Sequence, residues 1–152
     1  MFYQEHPPHP VLRNHLRCYW TLATAASKLF NEGQHFMTEG MEFSFNLGDP
    51  IEFVPHDSES AVLHRSLICG PMTRPTQIRP TRRVEIFGIC FRPGGAYPFF
   101  PYAASEMVNG YAELCDLLGS EWTRIIDRIQ DDRHTTRDRI ELLKPVKKYL
   151  RN

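Results

Sequence analysis

The chain has 152 residues, of which 41% are hydrophobic, 12% aromatic and 24% charged. This composition is typical of a globular domain and excludes a disordered, collagen-like or coiled-coil protein. The 18 basic residues balance the 18 acidic ones, whereas a nucleic-acid-binding module usually carries a basic excess. We therefore expect that this chain alone does not bind DNA.

The four cysteines, at positions 18, 69, 90 and 115, include no Cys-x-x-Cys pair. This spacing argues against a zinc ribbon or a thioredoxin motif. The first residues show no signal peptide, and no apolar run approaches the roughly 18 residues that cross a bilayer. We expect a cytoplasmic protein with free thiols and no membrane contact.

The first two thirds of the chain predict β-structure. Residues 5–10 are too rich in proline for the interior of a strand or helix, and a short helical turn is expected over 11–16. Short runs of β-favouring residues, separated by turn signals, then predict strands at 18–22, 35–38, 41–47, 51–54, 62–68, 77–79 and 83–91, with a turn at 31–33.

The strand at 41–47 alternates apolar and polar residues. This period of two predicts one buried face and one polar face, and the polar face carries Glu42, Ser44 and Asn46. The polar residues point either to solvent or to the interior of a barrel.

After Pro101 the pattern changes to helices. Ser105 is the expected N-cap of a short helix, and a second helix is expected over 112–118, ending at Gly119. Ser120 is the expected cap of a third helix, whose apolar stripe is Trp122, Ile125, Ile126 and Ile129. A fourth begins at Thr135 or Thr136, carries Ile140, Leu143 and Leu150, and should kink or end at Lys144 before Pro145.

The seven histidines raise the possibility of a catalytic metal site, but no His-x-His pair occurs. The nearest approximations are His6 with His9, and His35 with Glu39 and Glu42. Surface or hydrogen-bonding histidines are therefore the favoured interpretation, with no metal and no cofactor. Cys69 and Cys90 are expected to be buried apolar side chains, unless Arg92, on the same face if the strand continues, activates Cys90.

Three segments together resemble a known family. Residues 38–50 are similar to the P-D-G-x-x-D-L-x-F-N-L-G-D-P stretch in the N-terminal sensor domain of one branch of AraC-type transcription regulators. Residues 69–73 resemble its G-P-x-T turn, and residues 88–96 resemble its G-x-x-F-x-P-G-G-A motif. The early Cys18-Tyr19-Trp20 and the helical segment after Leu114 agree with the same family.

The resemblance implies a cupin-like domain in an α+β fold. We expect one sensor domain over 1–152, with an antiparallel β-barrel or sandwich over about 1–103 and a helical segment over about 104–152. Such a regulator contacts DNA through a helix-turn-helix domain. We expect that this domain is absent from the present chain, so that DNA would be contacted only by that other domain. The partners expected are a small-molecule effector, a second copy of the chain, or both.

For the effector pocket we predict Arg92 as the anchor for an anionic group, since a guanidinium can hold a carboxylate or phosphate by two parallel hydrogen bonds. Trp20, Phe45 and Asn46 are predicted to lie nearby. The competing role for Arg92 is to bind Glu39, Glu42 or a backbone carbonyl. Two other functions stay open, a metal-dependent cupin-type enzyme and a dimerisation module without ligand, and the favoured sensor is not an enzyme.

Overall fold

In the computed structural model the strands form two antiparallel sheets; residues 2–25, 35–36, 38–54, 62–63, 65–80, 82–100 and 104–144 are described. The larger sheet contains, in spatial order, β1 (Phe2–His6), β2 (Leu16–Ala25), β9 (Arg83–Phe91), β4 (Glu42–Asn46), β7 (Ser66–Cys69) and β10 (Tyr111–Glu113). The smaller sheet contains β3 (His35–Phe36), β8 (Thr76–Pro80), β5 (Ile51–Val54) and β6 (Val62–Leu63).

The helices follow the strands in the chain. A 3₁₀ helix spans Ala104–Met107, and three α-helices come after it: α1 (Leu114–Leu118), α2 (Ser120–Ile129) and α3 (Thr136–Leu143). None of the helices in the described ranges is long and apolar enough to cross a bilayer. The expected α+β class, with antiparallel sheet first and helices last, is confirmed.

The expected barrel or sandwich needs one correction. Across the described ranges, strand pairing gives two separate sheets of six and four strands and no closed barrel. The ladder is open because β1 pairs only with β2 at one edge of the larger sheet and β10 only with β7 at the other. The prediction of a closed barrel is therefore wrong.

The larger sheet buries its two faces in two different cores, because successive side chains of a strand point in opposite directions. One face packs against the helices, and its core includes Tyr19, Phe43, Phe45, Phe87 and Ile89 with Trp122, Ile126 and Ile129. The opposite face packs against the smaller sheet, and its core includes Cys18, Trp20, Val84, Ile86 and Cys90 with Ile51. The six-stranded sheet thus lies between the helices and the smaller sheet.

The helices bury the stripe that their period predicts. Trp122, Ile126 and Ile129 of α2 are buried and Ile125 is half-buried. Thr135 caps α3 as expected, in a capping box with Asp138. Helix α3 ends at Leu143, with Lys144 as its C-cap, as expected before Pro145; the rest of that segment, with Leu150, and the turn expected at 31–33 lie outside the described residues.

A buried arginine joins α3 to the end of α2. Arg139 is 4% exposed, and its Nε donates to the Ile129 carbonyl at 2.7 Å while Nη2 donates to the Asp131 carbonyl at 3.0 Å. Because the last carbonyls of a helix have no partner within the helix, the Arg139 guanidinium caps the C-terminus of α2.

Several boundaries differ from the sequence prediction: β2 extends beyond 18–22, for example, and Gly119 rather than Ser120 is the N-cap of α2. Three further differences concern β1, the strand expected over 62–68 and the helix expected over 112–118. Strand β1 includes Glu5 and His6, although the prolines of residues 5–10 predict no strand there. The strand is possible because it lies at the edge of the sheet and ends before Pro7. The strand expected over 62–68 is divided between β6 and β7, which belong to different sheets. The helix expected over 112–118 begins at Leu114, because Ala112 and Glu113 pair with β7 as part of β10.

Gly88 of β9 allows the close approach of the Trp20 side chain from the neighbouring strand β2. A Cβ at Gly88 would overlap Cε2 and Cζ2 of the Trp20 indole, whereas a Cβ at Gly40 would meet nothing within 4 Å. We predict that Gly88→Ala lowers the free energy of unfolding by about 1–3 kcal/mol, the usual cost of overpacking. Urea denaturation measures it, with Gly40→Ala as the matched control; equal effects of the two substitutions would contradict the close approach.

Candidate functional site

One row of side chains crosses four neighbouring strands on the face toward the smaller sheet. Cys18 of β2 lies opposite Cys90 of β9, Cys90 lies opposite Glu42 of β4, and Glu42 lies opposite Cys69 of β7. Directly opposed side chains on antiparallel strands have Cβ atoms about 4.5–5.5 Å apart. These four residues, here called the thiol–carboxylate row, therefore place one carboxyl group between thiols.

Cys90 is hydrogen-bonded to Glu42 within this row. Its Sγ donates to Oε1 of Glu42 over 2.9 Å. Burial raises the pKa of Glu42, and the thiol donor and the charge of Arg17 lower it in part. Burial, followed by the charge of Glu42, raises the pKa of Cys90, and burial raises the pKa of Cys69 to about 12. The thiols are therefore protonated at neutral pH, and Cys90 acts as a hydrogen-bond donor.

Three exposed polar residues from β1 and β2 lie at the outer end of the row. The Tyr3 hydroxyl donates to Oε1 of Glu5 at 3.1 Å, and Nη1 of Arg17 lies 3.5 Å from the same oxygen. An ion pair exposed to this degree contributes little to stability. The charge of Arg17 lowers the pKa of Cys18, although burial outweighs it and the net pKa is raised. This end of the row is therefore polar and open, whereas Cys69 is buried.

Trp20 lies next to the row with an unpaired polar group. The side chain is 4% exposed, and its Nε1 has no hydrogen-bond partner. Gly88 makes this position possible, because a side chain there would occupy the space of the indole ring, Nε1 included. A buried donor without an acceptor costs about 1–3 kcal/mol, so an acceptor atom supplied from outside the chain would stabilise this site.

The predicted anion anchor, Arg92, is exposed and lies outside β9, which ends at Phe91. Its Nε donates to the Arg13 carbonyl at 2.7 Å, and its backbone N–H donates to the His15 carbonyl. The structure thus places Arg92 against the segment between β1 and β2, where its side chain takes the competing role and binds a backbone carbonyl. Binding of an effector by Arg92 stays a prediction.

The other three predicted residues do not converge on one pocket. Phe45 is fully buried against the helices, whereas Trp20 lies on the opposite face of the same sheet. Asn46 ends β4, where its side chain donates to the Asp49 carbonyl and accepts from the Gly48 N–H. A single ligand cannot contact both Phe45 and Trp20, and Asn46 shapes the turn after its strand.

The space beneath the helices is too small for an effector. A void of about 10 Å³ is lined by residues of the helix-side core: Leu12, Leu16, Ile89, Phe91, Phe99, Trp122 and Leu143. A larger depression of about 290 Å³ lies at the surface, beside Arg82, Arg83 and Glu85. Neither of these two spaces borders Trp20.

The metal-ligand candidates are not brought together. Within the described ranges no group of three or more His, Cys, Asp or Glu side chains is arranged to hold a metal ion. His6 Nε2 lies 3.1 Å from the Thr21 hydroxyl, and the side chain of His35 lies outside the described residues. Cys90 is paired with Glu42 rather than Arg92, because β9 ends before Arg92.

Sequence reasoning treated the members of the row separately. The alternation over 41–47 put Glu42 on a polar face, but it did not reveal that this face meets two cysteines. The missing information was the pairing of β9 between β2 and β4, which connects residues 48 and 72 positions apart. A local sequence pattern does not predict which residues of such distant strands are paired.

Comparison with known proteins gives a family but no named relative. Residues 4–113, from within β1 to the end of β10, match the model of a family described as Domain of unknown function (DUF6597). No curated protein matches the chain. The match covers well over half of the chain and includes the whole thiol–carboxylate row and Trp20. The chain therefore belongs to the DUF6597 family.

Proposed function

We propose that this protein is the sensor domain of an AraC-type transcription regulator in the cytoplasm. The three ordered motifs over 38–50, 69–73 and 88–96 support this assignment, as does a β-region followed by helices. In this proposal the two antiparallel sheets are a cupin-like module that binds a small-molecule effector, and the helices pass the signal on or join a second copy. DNA is contacted through a helix-turn-helix domain, which agrees with the balanced charge of this chain.

The observation that carries the proposal is the unpaired indole N–H of Trp20. Of the four predicted pocket residues, Trp20 alone combines near-complete burial with a donor that lacks a partner. Ligand pockets are largely apolar and use a few placed polar groups to orient the ligand. An effector with a carbonyl, carboxylate or hydroxyl acceptor would satisfy Trp20 in the layer between the two sheets.

Strand β4 offers a short route from this layer to the helices. Ser44 faces the smaller sheet in the same cross-strand row as Trp20 and Gly88. The adjacent Phe43 faces the other way and meets the Trp122 ring of α2 at 5.9 Å, nearly perpendicular. A ligand changes an equilibrium only by its differential affinity for the two states, so the effector must favour one position of β4 against α2.

A second candidate function is a dimerisation module without ligand. It is favoured by the dense packing of Phe43, Phe45, Phe87 and Phe91 beneath the helices and by the void of only about 10 Å³ there. The two candidates differ in where they need space, because only the sensor requires room on the Trp20 side of the sheet.

Native mass spectrometry of the protein purified without added ligand tests the sensor. We expect a bound organic molecule on the wild-type protein that is lost in Trp20→Phe, because phenylalanine retains the apolar contact but has no N–H to donate. Trp122→Phe, the same change on the opposite face, is the matched control and should keep the ligand. Retention in Trp20→Phe would exclude Trp20 as the anchor, and an unliganded wild-type dimer would support the dimerisation module.

A thermal-shift screen of small organic acids, sugars and amides extends this test to a ligand lost in purification. A compound at 100 times its Kd stabilises by about 2.7 kcal/mol, and about 2–4 °C in Tm accompanies each kcal/mol in a domain of this size. The wild-type Tm should therefore rise by roughly 5–10 °C with the effector class and by much less in Trp20→Phe. If no compound distinguishes the two proteins, the sensor assignment at Trp20 fails.

A further inference from the structure

The thiol–carboxylate row contains one pair of cysteines that can be joined without moving a strand. Cys18 and Cys90 are directly opposed on neighbouring antiparallel strands, where Cα atoms are about 4.5 or 5.5 Å apart. Both values lie within the roughly 4.4–6.8 Å that a disulfide spans. The two side chains are also close enough that hydrogen bonding to Cys90 acts on the pKa of Cys18.

The other cysteines cannot take part in the same bond. Cys69 is separated from Cys90 by the whole of β4, which places it about 9.5 Å away at the usual strand spacing, beyond the limit of about 7 Å between Cα atoms. Cys115 is on α1 and packs against the helix-side core. The fold therefore selects a single pairing out of the possible ones.

Glu42 distinguishes the two redox states of this pair. In the reduced protein the Cys90 thiol donates to the Glu42 carboxylate at 2.9 Å, and a hydrogen bond to a charged group is roughly twice as strong as one between neutral groups. A disulfide at Cys90 has no S–H to donate, so oxidation leaves this half-buried carboxylate without its thiol donor. Glu42 accordingly stabilises the dithiol and makes the disulfide easier to reduce.

The pair also has a route for a reactant. Both thiols are buried, at 5% and 4% exposure, but the side chains at this end of the row are the exposed Tyr3, Glu5 and Arg17. The ladder between β2 and β9 is irregular between Leu16 and Cys18, and a bulge leaves a residue unpaired. Local opening at this irregularity would give the oxidant access to the thiols, because such openings need not unfold the core.

We propose that Cys18 and Cys90 are a reversible modification site that forms a cross-strand disulfide with a glutathione-type disulfide as the oxidant. Cys90 passes its proton to the Glu42 carboxylate that accepts its hydrogen bond, and the thiolate attacks one sulfur of the oxidant; the departing glutathione thiolate takes up that proton. Cys18 then attacks the Cys90 sulfur of the mixed disulfide, and its proton passes to the second departing glutathione thiolate. Two protein thiols are oxidised to one disulfide, and one glutathione disulfide is reduced to two thiols. Transient disulfides in the cytosol are typically catalytic or redox-sensing.

This site deepens the proposed function and rests on it for its regulatory meaning. Oxidation removes the thiol donor from Glu42 of β4, whose neighbour Phe43 packs against Trp122 of α2. The redox state of the pair thus acts on β4, the same strand that would respond to an effector. The disulfide would therefore regulate the position of the helices even without an effector.

Equilibration with glutathione buffers of stepped ratio tests the couple directly. After acid quenching, alkylation under denaturing conditions and peptide mapping, the wild-type chain should show one disulfide that joins Cys18 to Cys90, with Cys69 and Cys115 alkylated. Cys18→Ala and Cys90→Ala should show none, and Cys115→Ser should titrate as the wild type. The equilibration is started both from reduced and from oxidised protein. The inference is overturned if the wild-type chain is fully reduced in the most oxidising buffer from both starting points. A disulfide that requires Cys115 overturns it as well.

Glu42→Gln provides a readout that packing alone would not change. The neutral amide keeps the size of the side chain but weakens the hydrogen bond to the reduced thiol. The equilibrium constant for oxidation should therefore rise about tenfold. This change makes the reduction potential of the two-electron couple about 30 mV more negative. Glu42→Asp, which retains the charge, should lie between the two. An unchanged midpoint in Glu42→Gln would exclude Glu42 as the group that sets the potential.

The fluorescence of Trp122 separates this inference from the proposed function. In Trp20→Phe, Trp122 is the remaining tryptophan of the two in the chain, and its emission should shift when the disulfide forms. A disulfide that forms without any shift in Trp122 emission overturns the regulatory role. A protein that binds an effector at Trp20 but forms no disulfide retains the sensor function and loses only the redox site.

Discussion

Burial of both faces of the six-stranded sheet is the constraint on which the rest of the molecule depends. The helices cover one face and the smaller sheet covers part of the other. If β9 slipped by one residue, Phe87 would move to the side of the smaller sheet and Cys90 into the helix-side core. The alternation thus fixes the pairing of β2, β9 and β4, and the contacts among Cys18, Cys90 and Glu42 follow from it.

In the described part of the chain few charged groups are removed from solvent, and each has a hydrogen-bond partner. Arg139 is buried, and its guanidinium binds two backbone carbonyls at the end of α2. Glu42 is half-buried and accepts a hydrogen bond from a thiol. The pair of Arg133 and Asp131, by contrast, lies at the surface, where such pairs add little to stability. Of these two groups, Arg139 has a structural role as the cap of α2, and Glu42 has a chemical role as the acceptor for the Cys90 thiol.

Much of the fold could be predicted from local patterns. The alternation over 41–47 identified β4, and the spacing of Trp122, Ile126 and Ile129 identified the buried face of α2. The patterns failed where long-range pairing decides the structure: Ala112 and Glu113 have a helical sequence context but pair with β7. Strand β1 is not predicted, because the prolines after His6 indicate a segment without regular structure, although the strand ends before the first of them.

The candidate site was harder to predict than the fold, for the same reason. Trp20 was among the predicted pocket residues, but Phe45 and Trp20 belong to opposite faces of one sheet, and a single sequence does not show which strands are neighbours. Arg92 had the right chemistry for an anion, yet the chain leaves the sheet at Phe91 and the guanidinium turns to the Arg13 carbonyl. Hydrogen-bonding capacity can be read from a residue type, but its partner is set by the strand order.

The Arg139 cap has a mechanical consequence. Because its guanidinium is bound to the carbonyls of Ile129 and Asp131, α2 and α3 are held together at their junction, here called the elbow. Helix α2 has 10 residues and so is about 15 Å long, with Trp122 near one end and the elbow at the other. A shift of β4 beneath Trp122, at one end of α2, would therefore also displace α3 at the other end.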